Sequence, residues 1–234
     1  MRHNPANPSW PDRDRFLLSK GHAALVQYAA LAECGYFPKD ELRRVKQCGS
    51  MLQGHPDLKS TPGIEANTGS LGQGLSIACG IAAGLRIDAR ASRVYCIVGD
   101  GEMAEGQIWE AAMAASAFKL DNLVAILDRN GLQAMGKIVQ RFDTNPLPEK
   151  WRAFGWHVLE IDGHDMRSIL SALDEVDGVK GKPKMIIART VKGSGIPFAE
   201  NKVEFHNGQL DKEQYESACA FLTAEPVVVE RSSH

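Results

Sequence analysis

Two short stretches carry residues able to do chemistry together: Gly99-Asp100-Gly101-Glu102 and, about thirty positions later, Asp128-Arg129-Asn130-Gly131. A hard divalent cation such as Mg²⁺ takes oxygen ligands in octahedral geometry and often shares them with ligand phosphates. Asp100 would supply a charged oxygen for such a cation and Asn130 a neutral one. Gly101 lets the backbone come close, and free N–H groups at the start of a following helix favour a phosphate. Together these residue types describe a Mg²⁺-diphosphate site. Taken singly, each half is equally well a helix cap or a turn; it is the pair, with what lies between, that points to a ligand. Three of the seven histidines, His22, His55 and His206, lie within two positions of a glycine or proline. There a ring can face a cleft, and imidazole can donate or accept a proton near neutral pH.

For Asp100 and Asn130 to meet, the chain must bring them to one edge. The apolar runs 94–98 and 123–127 read as buried parallel strands, each ending just before its polar group. The Ala-rich, Pro-free stretch 103–119 reads as the crossover helix between them. A right-handed crossover places Asp100 and Asn130 at the carboxyl edge of one sheet, where open α/β sheets bind ligands. Further strands are expected at 156–161 and 185–190, and helices at 19–34, 38–45, 71–87, 166–176 and 211–222. A polar, glycine-rich stretch at 49–70 reads as the kind of irregular segment where functional loops sit, and 191–205 reads as a loop. The expectation is an α/β fold, a mostly parallel sheet with helices on both faces, in a single domain over 1–234 with an irregular start (1–15) and a flexible tail (223–234). The helix from Gly72 is small or apolar on every side, so it should be buried on most of its circumference, in this domain's core or against another subunit.

Other phosphate signatures fail. Gly72-Gln73-Gly74 has Ile77 where a dinucleotide fingerprint needs Gly or Ala and follows a polar loop, while Lys192-Gly193-Ser194-Gly195 lacks the P-loop spacing and its Lys-Ser/Thr ending. Asp165 reads as a helix N-cap rather than a metal ligand. A net charge of −2 gives no basic field for nucleic acid. No run reaches the ~18 apolar residues of a membrane span, and the polar start does not read as a signal peptide, so a cytoplasmic location is expected. The five cysteines show neither C-x-x-C nor zinc spacing and read as reduced packing residues.

Gly99-Asp100-Gly101 followed by Asn130 resembles the thiamine diphosphate motif. Neighbouring segments narrow the likeness: Asp14-Arg15-Phe16-Leu17-Leu18-Ser19-Lys20-Gly21-His22-Ala23, Gly54-His55-Pro56-Asp57, Gly63-Ile64-Glu65-Ala66-Asn67-Thr68-Gly69-Ser70-Leu71-Gly72-Gln73-Gly74 and Glu204-Phe205-His206-Asn207-Gly208 resemble transketolases, in that family's order. The likeness runs from about residue 4 to about residue 222 and takes the form of the short amino-terminal subunit of split transketolases.

The resemblance implies a thiamine diphosphate-binding fold and transfer of a two-carbon ketol unit from a ketose phosphate to an aldose phosphate. It implies Asp100, Asn130 and the backbone of Leu132 as Mg²⁺ ligands. Cofactor contacts would come from His22, Gly69, Ser70, Leu71, Gly99, Asp100, Gly101, Glu102, Asn130, Lys192 and His206. His22 and His206 would reach diphosphate and substrate oxygens, His55 the sugar hydroxyls, and Glu105 would face a partner across an interface, so these four are the catalytic set. It further implies a carboxyl-terminal transketolase subunit bearing the pyrimidine-binding domain, joined as a heterotetramer in carbohydrate metabolism. About fifty family residues, including one histidine of the substrate pocket, precede the stretch that matches Asn4 here. Two other readings stand beside this one: another thiamine-dependent enzyme, of the deoxyxylulose-phosphate synthase or keto-acid dehydrogenase type, and an inactive binding or assembly subunit.

Overall fold

In the computed structural model the described residues are 1–223; the expected tail beyond them lies outside the described residues. The chain runs through β1 (Arg15–Leu18), α1 (Ala24–Glu33), α2 (Gln73–Ile87), β2 (Val94–Gly99), α3 (Gly106–Ala117) and β3 (Leu123–Arg129). It continues through a small hairpin, β4 (Leu132–Gln133) and β5 (Gly136–Lys137), then α4 (Ile138–Arg141), α5 (Leu147–Ala153), β6 (His157–Asp162), α6 (Met166–Gly178), β7 (Lys184–Arg189) and α7 (Lys212–Thr223). Five strands make one sheet in the order β1-β2-β3-β7-β6, and every pairing in it is parallel.

The strands are apolar on alternate sides because both faces are covered. Val94, Cys96 and Val98 of β2, with Leu123, Ala125 and Leu127 of β3, pack against α2, α3 and Trp151 of α5. Tyr95, Val124 and Ile186 pack against Ala172 and Val176 of α6 on the opposite face. Each fully buried aliphatic side chain of this kind contributes about 1.5–3 kcal/mol over exposure. A satellite cluster around Tyr28 and Leu52 holds the irregular stretch between α1 and α2. The Tyr28 hydroxyl donates to the carbonyls of Gln53 and His55, both at 3.0 Å, and so pins the loop that carries His55.

The expected mostly parallel sheet with helices on both faces is what the chain forms. Some details differ from the sequence reading or refine it. Residues 15–18, which open the segment from Asp14 to Ala23, form an edge strand, too short to show a period. The stretch 38–45 becomes a 3₁₀ turn, Lys39–Arg44. Helix α2 buries Gly74, Leu75, Ala78, Cys79, Ala82 and Leu85 and half-buries Ile77, Ile81 and Ala83 against the same core, so this chain covers most of its circumference and leaves the Gly80 side open. Asp165 does cap α6, its carboxylate accepting the Arg167 N–H at 3.1 Å. Cys79 and Cys96 are buried, whereas Cys34, Cys48 and Cys219 lie on the surface and do not pack. No described helix is long and apolar enough to cross a membrane.

Candidate functional site

The register Gly99↔Asp128 brings the ends of β2 and β3 side by side. Asp100 therefore leaves the sheet next to the turn that holds Asn130, and the Asp100 N–H donates to the Asp128 carbonyl at 3.2 Å. The Asp100 carboxylate is held from both sides: Gly101 N–H donates to Oδ1 at 2.8 Å and Gly131 N–H to Oδ2 at 2.5 Å. Gly131 sits at φ +75°, a left-handed conformation open to glycine at no steric cost. Burial, with Asp128 close by, pushes the Asp100 carboxyl up to about 6 despite these donors.

A cavity of about 250 Å³ opens here. Its floor is Gly99, Asp100, Gly101 and Asn130; Leu71 and Leu132 form part of its walls. Lys20, Lys192, His22 and His206 supply its nitrogen groups. The rings of His22 and His206 lie with centroids 5.2 Å apart. Burial, reinforced by the positive charge of Lys192, pushes His206 down to about 4, and burial and Lys20 lower His22 too. Both rings are thus neutral at physiological pH. Lys192 is held below its ordinary value by burial and by Lys20. Asp128 is the counter-charge: it pairs with Lys20 and accepts from Thr190 Oγ1 at 2.5 Å. Burial alone would raise the Asp128 carboxyl, but Lys20 together with the hydrogen bonds from Thr190 and Asn130 outweighs it and the group lies below its ordinary value.

Of the residues singled out from sequence, His22, Leu71, Gly99, Asp100, Gly101, Glu102, Asn130, Leu132, Lys192 and His206 come together on this cavity. His55, Gly69, Ser70 and Glu105 lie outside its lining. The His55 ring stands against Gly69, where a Cβ would come within 3.1 Å of it. Glu105 is the exposed residue before α3 and packs its side chain against Gly72. Close approach at Gly101 is real but is to the chain itself: a Cβ there would lie 3.0 Å from the Gln133 Cβ. Sequence reasoning missed Lys20, Gln133 and Asp128. Lys20 and Asp128 stand inside motif segments, but residue type alone does not reveal a pair 108 positions apart.

The donor set fits a hard cation that shares its ligands with phosphate. Among the described residues no group of three His, Cys, Asp or Glu side chains could enclose a metal. What is present is one carboxylate, Asp100, beside the amide oxygen of Asn130 and the backbone of Leu132. Mg²⁺ is usually bound in this way, through one or two carboxylates plus substrate phosphates. Asn130 is already oriented, its Oδ1 accepting Leu132 N–H at 3.0 Å and its Nδ2 donating to Asp128 at 3.3 Å. The buried Nδ1 of His206 has no hydrogen-bond partner, as expected of a group awaiting a polar ligand.

Comparison with known proteins agrees with this architecture. Residues 1–228 match the family described as transketolase, thiamine diphosphate binding domain. The chain is 47% identical over 225 residues to the 6-deoxy-6-sulfo-D-fructose transketolase subunit SqwG of a Clostridium species, covering 96% of this chain and 82% of that protein. It is 41% identical over 218 residues to one of the subunits of the apulose-4-phosphate transketolase of Phocaeicola vulgatus, covering 93% and 77%. The solved transketolase of Campylobacter jejuni superimposes with a TM-score of 0.87 at 34% identity, over 93% of this chain and 35% of that one. The Pichia stipitis transketolase solved with sedoheptulose-7-phosphate gives 0.89 at 33% identity, over 93% and 34%. The chain thus spans about a third of those solved chains. It belongs to the transketolase family, in which it is a thiamine diphosphate-binding domain of the amino-terminal kind.

Proposed function

We propose that this chain is the amino-terminal subunit of a split transketolase and that, with a carboxyl-terminal partner, it moves a two-carbon ketol unit from a ketose phosphate to an aldose phosphate. The observation that carries the reading is the convergence of Asp100, Asn130, two lysines and two neutral histidines on one cavity at the carboxyl ends of β2 and β3. Asp100, Asn130 and the Leu132 backbone would hold Mg²⁺. Lys20 and Lys192 add positive charge where a diphosphate would lie. When bound, thiamine diphosphate supplies the electron sink that lets a carbon–carbon bond beside a carbonyl break.

The chain's own groups orient the reactants. Kept neutral by burial, His22 and His206 can each accept or donate a proton at a sugar oxygen. His55, on the loop that Tyr28 pins, is assigned to the sugar's hydroxyls, and Glu105 to the partner's side. Gln133 and Ala134 of the β4–β5 hairpin close one wall, and the next residue in the chain, Met135, is exposed. That suits a partner bearing the pyrimidine pocket. The names of the split relatives, each a transketolase subunit, support a partner here as well.

Calorimetry with Mg²⁺ and thiamine diphosphate, followed by a ketol-transfer assay with the partner, tests the reading. Transfer with ketose phosphate donors is expected. Decarboxylation of 2-keto acids without ketol transfer would favour the other thiamine-dependent class, and cofactor binding without turnover on any donor would favour an inactive assembly role.

A further inference from the structure

Glu102 follows the cofactor motif by one residue, and its type suggests a group aimed at the ligand. Its carboxylate turns inward instead. It is 1% exposed, and three donors converge on it: the Gly72 N–H on Oε1 at 2.8 Å, the Ser19 hydroxyl on the same oxygen, and the Gly99 N–H on Oε2 at 3.1 Å. Among the described ion pairs none includes Glu102, so hydrogen bonds to neutral groups carry its charge. Such charge-assisted bonds are about twice as strong as neutral ones, and losing a buried acceptor leaves donors unsatisfied.

The three donors belong to three separate segments, each bearing cavity residues. Ser19 precedes Lys20 and His22, Gly72 follows Leu71, and Gly99 precedes Asp100. The segments are already packed to contact. A Cβ on Gly74 would come within 2.5–2.6 Å of Ser19, and one on Gly72, at φ +85°, within 2.7 Å of the Glu105 Cβ. We infer that Glu102 is a positioning residue: one buried carboxylate ties the turn after β1, the start of α2 and the end of β2, so that Lys20, His22, Leu71 and Asp100 converge on one diphosphate. This rests on the proposed function, and it assigns Glu102 to cofactor affinity rather than to the reaction itself.

Glu102→Gln keeps the shape but has one acceptor oxygen, and its amide N–H₂ would face the Gly99 N–H. In the complex with the partner, titration with thiamine diphosphate at fixed Mg²⁺ should show affinity weakened by about tenfold or more, equivalent to about 1.4 kcal/mol. The loss should fall more on cofactor affinity than on turnover at saturating cofactor, and Ser19→Ala should weaken affinity less. The double variant should fall short of the product of the two single effects, because the two groups act through one contact. Unchanged affinity in Glu102→Gln, or a lowered melting temperature with unchanged affinity, overturns the inference. Should Glu102→Gln not fold, Ser19→Ala decides alone: weakened affinity supports the inference and unchanged affinity overturns it. Failure of the wild-type complex to bind thiamine diphosphate would instead overturn the functional reading beneath it.

Discussion

At the scale of single residues, the division of labour in the cavity follows from charge. Asp100 is the one carboxylate assigned to the metal, and it is held by two backbone N–H groups that a neutral side chain would satisfy less well. Asp100→Ala should therefore abolish Mg²⁺-dependent binding of thiamine diphosphate in calorimetry. Asn130→Ala, which removes a neutral ligand, should weaken it less; equal losses would show that charge is not what matters. His206, pushed down to about 4, stays neutral from pH 5 upward. Its titration should put no limb on the rate profile between pH 5.5 and 8, while His206→Gln should lower turnover across that range. The sequence disclosed the members of this set that sit in contiguous motifs, Gly99 to Glu102 and Asn130. It could not disclose which way Glu102 points, since burial and donor count are properties of the folded neighbourhood. It likewise hid the Lys20 to Asp128 pair, which depends on β1 lying beside β2.

At the scale of elements, legibility tracked length and composition. Strands β2, β3 and β7 are continuous apolar runs, and α2, α3 and α6 are long enough to show composition or period. Missed were β1, the β4–β5 hairpin, α4 and α5, which are two to seven residues long and owe their form to what they pack against. Lys184, at the start of β7, is an element-level anomaly, a buried ammonium that donates to the Asp121 carbonyl. Burial lowers it from 10.5 to about 8. In that window the unfolded chain binds the extra proton, so stability should rise with pH between about 8 and 10.5. Below it the buried charge costs about 3 kcal/mol, at about 1.4 kcal/mol per pKa unit. Lys184→Met removes that cost together with one hydrogen bond worth about 1.5–3 kcal/mol, so at pH 7 its stability should lie within about 2 kcal/mol of wild type. The rise from pH 8 to 10 should be absent in the variant. Urea unfolding of both proteins at pH 7, 8.5 and 10 measures the difference; parallel curves would contradict a depressed Lys184.

At the scale of the whole molecule, the open side of the two small-residue helices decides what the chain can do alone. In α2 a Cβ at Gly80 or Gly84 would meet nothing within 4 Å, and at its end Ile87 is 84% exposed. Nearby on α3 and just past it, Met113 and Phe118 are exposed as well. Exposed apolar side chains on two helices packed together suit an interaction site, and helices lined with small residues allow close approach. On the proposed function, the chain alone should bind thiamine diphosphate weakly and transfer nothing, because its cavity would hold the diphosphate end and the partner the pyrimidine end; with the partner, a two-plus-two assembly with two composite sites is expected. Gly80→Arg separates association from folding. The new side chain has room, and replacing a mid-helix glycine removes a propensity penalty of about 1 kcal/mol, so the isolated variant should melt no lower than wild type. An arginine in the middle of an apolar interface must however bury its charge, and leaving it unpaired costs several kcal/mol. Sedimentation velocity of the chain mixed with its partner should then show the large species lost and transfer activity lost with it. An assembly of unchanged size and activity would show that this face of α2 looks into solvent and that the partner docks elsewhere.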